Sequence, residues 1–160
     1  MAENRTLKQR IEDDIRTAMK ANDKLRLGAL RMVKAKMMEA EVALRGKKGR
    51  DYQLEDVEAI QCLSTSAKQR KDSIEAFRQG GREDLAKTEE AELAVIQEYL
   101  PQQMSAQDIA RIAREAIASV GATSPKDMGA VMKIVMPQVK GAADGKEVNR
   151  IISELLAPKT

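Results

Sequence analysis

Leu30-Arg31-Met32-Val33-Lys34-Ala35-Lys36-Met37-Met38-Glu39-Ala40-Glu41-Val42-Ala43-Leu44 is the stretch whose periodicity decides the fold. Leu30, Val33, Met37, Ala40 and Leu44 recur at spacings of three and four, the period of an amphipathic helix. Elsewhere no segment alternates apolar and polar residues for long, and β-branched residues are sparse. The expected fold class is all-α.

Towards the N-terminus, Thr6 and Gln9 form a capping-box pattern that opens a helix running to Ala21, and Asn22-Asp23 breaks it. Gly28 lies inside the next helix at a cost of ~1 kcal/mol relative to alanine, which a close helix crossing would explain. Gly46-Lys47-Lys48-Gly49-Arg50 ends that helix and reads as a mobile basic loop. A third helix spans 54–77 with Val57, Ile60, Leu63, Ala67, Ile74 and Phe77 on its apolar stripe, and Gly80-Gly81 closes it. An acidic fourth helix covers 83–100, with Leu85, Leu93, Ile96 and Leu100 inward, and Pro101 stops it.

Beyond Pro101 the elements shorten and their caps become explicit. Ser105, Ser124-Pro125 and Asp144-Gly145 open helices expected at 106–120, 125–136 and 145–156, with stops at Gly121 and Gly141. The chain therefore divides into a long-helix N-terminal domain, 1–101, and a small three-helix tail domain, 102–160.

Composition removes whole chemistries. The 160 residues include no histidine, one cysteine and three aromatics, against nine methionines. No Ser-His-Asp triad, Cys-His dyad or Glu-x-x-His di-iron site can be built, nor an intrachain disulfide or a cysteine zinc site. So few aromatics also argue against modules that stack bases on aromatic side chains. The start carries no signal-peptide pattern and no stretch of 18 apolar residues occurs, so the expected location is cytoplasmic.

Single candidates each have an ordinary explanation. Cys62 sits between Ile60 and Leu63 without a base, as an inert helix cysteine. In Ser64-Thr65-Ser66-Ala67-Lys68 only Thr65 has a lysine three residues on, and helix-face polarity accounts for the group. Glu89, Glu90 and Glu92 read as a solvated face opposing the basic first helices rather than as cation ligands. No phosphate-cradling glycine loop occurs. Expected catalytic residues, metal ligands and cofactors are none.

Charge is uneven along the chain: 14 basic and 7 acidic residues in 1–50, 6 and 12 in 51–100, 8 and 6 in 101–160. Lys126, Lys133 and Lys140 stand seven apart, a step that drifts about 20° on a helix, so they line one face. Val131, Met132, Val135 and Val139 fall opposite. Lys146 and Arg150 on the last helix extend the strip. Pro137 ends or kinks the helix, so Lys140 is its least secure member. Arg31, Lys34, Lys68, Arg70 and Lys71 are further basic candidates, with ion pairing to the acidic fourth helix as their other reading.

Several motifs resemble the GatB/YqeY family. They are Leu30-Arg31-Met32-Val33-Lys34-Ala35, Lys68-Gln69-Arg70-Lys71-Asp72-Ser73-Ile74-Glu75, and the acidic run from Glu89 to Pro101. In the tail, Ser124-Pro125-Lys126-Asp127-Met128-Gly129-Ala130-Val131-Met132 resembles the family's Asp-Met-Gly signature, and Lys140-Gly141-Ala142-Ala143-Asp144-Gly145-Lys146-Glu147-Val148 its glycine turn. The similarity runs in order over about residues 6–157 and points to the stand-alone YqeY-like branch.

The resemblance implies an all-helical fold that also ends the B subunit of the glutamine-dependent tRNA amidotransferase and is appended to some glutaminyl-tRNA synthetases, where the tail contacts tRNA. The family label is a carbon–nitrogen ligase with glutamine as amido-N-donor. That label describes the full amidotransferase, whose kinase-like and amidase parts have no counterpart here. The resemblance makes Gly129 a close-packing position and Gly141 a turn position.

The expected function is an accessory protein binding tRNA or a tRNA-modifying or aminoacylating enzyme, through Lys126, Lys133, Lys140, Lys146 and Arg150. The alternatives are a protein–protein adaptor without RNA contact and an amidotransferase-type enzyme.

Overall fold

The computed structural model describes residues 5–158. They form α1 (Leu7–Lys20), α2 (Lys24–Lys48), α3 (Asp56–Gln79), α4 (Glu83–Gln97), α5 (Ala106–Val120), a 3-10 turn (Pro125–Asp127), α6 (Met128–Val139) and α7 (Gly145–Leu156). The fold is all-α, with no strand among the described residues. The chain forms two compact units, Met1–Leu100 and Pro101–Thr160.

The first unit is organised around α2. Its Ala29, Leu30, Val33 and Met37 are buried with Ala59, Leu63 and Ala67 of α3 and with Val95 and Ile96 of α4. Two polar knots fasten this core. Glu41, only 6% exposed, accepts from Lys8 Nζ at 2.6 Å, Arg45 at 2.7 Å and the Leu54 backbone N–H at 3.0 Å. The Lys8 bond and the Leu54 N–H hold its carboxyl below the usual range against the opposing cost of burial. At the other knot, Arg26 donates to Tyr99 Oη at 3.0 Å while that hydroxyl donates to Asp14. The Arg10 guanidinium lies over the same ring, 4.8 Å from its centre. Burial first, then the bond to Asp14, pushes the Tyr99 phenol up to about 12.

Four local expectations change. Gly28 is exposed, with nothing within 4 Å of where a Cβ would stand, so no helix crossing explains it. The expected mobile basic loop is largely helical, since α2 continues through Gly46 to Lys48. Lys48 is fixed there by Glu58 at 2.7 Å and Tyr52 Oη at 2.9 Å, which anchors the helix end to the start of α3. Leu54 is buried ahead of α3 rather than within it. Val57 is 62% exposed because it stands two residues, about 200° of turn, from the buried Ala59.

The second unit is a three-helix cluster. Ile109, Ile112, Ala113 and Ala116 of α5 meet Val131, Val135 and Val139 of α6 and Val148, Ile151, Ile152 and Leu156 of α7. Its caps at α5 and α7 are local. Ser105 Oγ accepts from the Asp108 N–H at 3.1 Å, and Asp144 from the Lys146 N–H at 3.0 Å. Asp127 accepts from the N–H groups of Thr123 and Ser124, and those two bonds hold its carboxyl below the usual range. Gly141 turns the chain at φ 80°, and its carbonyl accepts from Gln103 at 2.9 Å. Gly129 is exposed with open space at its Cβ position, so the close-packing role implied for it does not hold.

Candidate nucleic-acid interface

Only Lys133, of the three lysines spaced by seven, lies inside α6, opposite the buried Val131, Val135 and Val139. Lys126 belongs to the preceding 3-10 turn, whose residues advance more than the 100° of an α-helix. Lys140 caps the C-terminus of α6 with extended backbone, φ −57° and ψ 125°. The single line of lysines is therefore one helical lysine flanked by a cation at each helix end. Pro137 neither stops α6 nor lies at its end; the helix runs two residues further, and the proline removes the donor for the Lys133 carbonyl.

Lys126, Lys133, Lys140, Lys146 and Arg150 are all exposed. Among the described residues no ion pair engages Lys126, Lys133 or Lys140, whereas Arg150 reaches Glu154 at 2.8 Å, one turn on in α7. The Lys146 side chain is exposed at the first turn of α7.

Arg150 also lines an open groove of about 610 Å³ between α5 and α7. The groove has Ile151 and Leu155 in its wall and Arg114 of α5 on its rim. Arg114 is the basic residue that the sequence reading passed over. Its signal was present, since Arg111 and Arg114 fall on α5 away from the apolar Ile109, Ile112, Ala113 and Ala116. No α6 lysine lines this groove, so Arg150 joins Arg114 rather than prolonging the α6 lysines.

The basic candidates of the first unit separate by burial. Arg70 is withdrawn from the surface, 7% exposed, and bonds Glu89 at 2.9 Å as well as Glu92. Lys34 pairs with Glu12 of α1 at 3.3 Å, and Arg31 is exposed. Glu89, Glu92 and Glu90 of α4 thus face α3, through Arg70 and Arg78, while Glu98 just past α4 pairs with Arg26 of α2 at 2.8 Å. Cys62 is half-buried, and burial pushes its thiol up. Thr65 Oγ1 donates to the Gln61 carbonyl at 3.0 Å, so the hydroxyl with lysine spacing is spent on its own helix.

Fold and surface together define an all-helical protein of two small units, the second carrying exposed cations over an aliphatic core. The chain belongs to the Yqey-like protein family, whose description matches residues 8–156. It is similar to Altered inheritance of mitochondria protein 41, mitochondrial, from Saccharomyces cerevisiae, with 34% identity over 92 residues, 58% of this chain and 47% of the relative. The protein of that name from Lachancea thermotolerans is 35% identical over 92 residues, 58% of this chain and 46% of the relative. The one from Pyrenophora tritici-repentis is 29% identical over 153 residues, 94% and 81% respectively. The chain spans about half the length of the two yeast relatives that it matches.

These names correct the cytoplasmic expectation: the relatives are mitochondrial proteins, so the comparison points to mitochondria. The expectation rested on missing targeting features alone, and a helical core carries no mark of compartment. Among the described residues no helix is long and apolar enough to cross a membrane.

Proposed function

We propose that the protein is an accessory tRNA-binding factor whose tail unit grips phosphate through Lys126, Lys133, Lys140, Lys146 and Arg150, with Arg114 beside Arg150. The observation that carries this reading is the state of Lys133 on α6 and of the lysines at its two ends. They are exposed over a buried valine face, and Lys126, Lys133 and Lys140 have no ion pair among the described residues. Their charge is thus available to an external anion. The resemblance of the tail motifs to the GatB/YqeY family, which implies tRNA contact for related tails, supports the reading.

Cations on such a surface neutralise phosphates without reading sequence, so affinity should fall steeply with salt. Three substitutions together, Lys126→Glu, Lys133→Glu and Lys140→Glu, are expected to weaken tRNA binding at least tenfold at low salt. They should also flatten the slope of log K against log salt by about two to three units. Filter binding across a salt series measures both. A folded triple variant with unchanged affinity and slope sinks the proposal and leaves the protein–protein adaptor as the better account.

A further inference from the structure

The Lys68-to-Ser73 motif takes no part in the tail surface, yet it leads to a cavity of about 180 Å³ among α2, α3 and α4. Met32 and Ile96 give it an apolar side, Gln69 and Arg70 a polar one, and Lys36 and Glu89 bring opposite charges to its lining. Arg70 is the unusual member, a guanidinium that is 7% exposed and still borders open space. One terminal nitrogen is shared by Glu89 and Glu92. The other meets the Met32 thioether at 3.5 Å, a weak acceptor for a buried charged donor. A stronger oxygen or nitrogen acceptor would be better bound there.

Charge narrows the class of ligand. Glu89 and Glu92 balance the charges of Arg70 and Lys36, so the site favours neither an added anion nor an added cation. What satisfies Arg70 and Glu89 together is a neutral group with an acceptor and a donor side by side. Size narrows it further. At about 180 Å³ the cavity is close to the ~150 Å³ that holds a benzene ring, so a single six-membered ring suits it better than a fused pair. A flat ring also suits the sulfur of Met32.

Among single-ring bases, cytosine sets its amino donor next to ring acceptors. Uracil turns a carbonyl oxygen towards the position where Glu89 needs a donor. We propose that this cavity binds a pyrimidine base of the cytosine pattern, with the Arg70 nitrogen that faces Met32 donating to N3 and Glu89 accepting from the exocyclic amino group. The site lies wholly within the first unit and stands or falls independently of the tail cations.

The test is a titration of the full chain, carrying ¹³C-methyl methionine, with cytidine, uridine and adenosine. Nucleosides have no phosphate and so offer nothing to the tail lysines. The Met32 methyl signal should shift saturably with cytidine, about tenfold more weakly with uridine, and not with adenosine, while Met128 and Met132 stay still. Glu89→Gln, whose amide can donate as well as accept, should erase the preference for cytidine over uridine. Ser73→Leu, which fills the cavity, should abolish the shift in a protein of unchanged helical circular dichroism. An unmoved Met32 signal at about 10 mM cytidine overturns the proposal. So does an equal response to all three nucleosides, or an undiminished cytidine preference in E89Q.

Discussion

Gly28 shows how much a single residue can leave unused. It lies in the first turns of a 25-residue helix, is exposed, and has open space where a Cβ would go. Nothing in its surroundings needs a glycine, so the intrinsic cost of glycine in a helix is unopposed. Gly28→Ala is expected to stabilise the first unit by about 0.5–1 kcal/mol, read as a higher urea midpoint with an unchanged slope. A lower midpoint would show that the open face of α2 is covered in solution. The two glycines given packing roles, Gly28 and Gly129, share one reason for the error. Sequence displays the missing side chain but not whether another helix stands opposite it. Gly141 was legible as a turn because its positive φ is a local backbone requirement.

At the scale of elements, what was legible was what neighbours in sequence decide. The Thr6–Gln9, Ser105–Asp108 and Ser124–Asp127 caps each close within four residues and stand as their spacing implies. What was not legible depends on partners far along the chain. Lys48 looked like part of a loose basic loop, and Glu58 makes it a helix end. Arg70 looked like a surface cation, and Glu89 and Glu92 make it a buried one. Glu41 is the clearest case, a carboxylate on α2 whose partners come from α1 and from the segment before α3. Its folded-state pKa is depressed, so its contribution is complete above the ordinary carboxylate range. It is lost as pH falls through that range towards the depressed folded value. Glu41→Gln should lower stability at neutral pH by about 3 kcal/mol, because Lys8 keeps its charge and loses its partner. The variant should also lose less stability than the parent on acidification, as measured by urea midpoints down a pH series. Parallel losses in the two proteins would show that the Glu41 knot carries no proton linkage.

For the whole molecule, the uneven charge acquires a location. The positive first third and the negative middle meet inside the first unit, where Lys48 bonds Glu58 and Arg26 bonds Glu98 at 2.8 Å. Their opposition is spent on holding helices together, whereas Lys126, Lys133 and Lys140, without an ion pair among the described residues, lie in the second unit. The proposed interface therefore needs only residues 101–160, provided that they fold alone. A chain of about 60 residues is near the lower limit for an unaided core. Two features favour it: the buried aliphatic residues of α5, α6 and α7 form one cluster, and the caps at Ser105, Ser124 and Asp144 close within the unit. The isolated 101–160 segment is expected to give a helical circular dichroism spectrum and a cooperative thermal transition. It should also keep most of the salt dependence of tRNA binding, because every cation invoked for that binding lies within it. A segment that melts cooperatively but binds without salt dependence would place the phosphate contacts in the first unit, among cations such as the exposed Arg31. The tail's charge would then be a means of keeping a small unit soluble rather than a grip on nucleic acid.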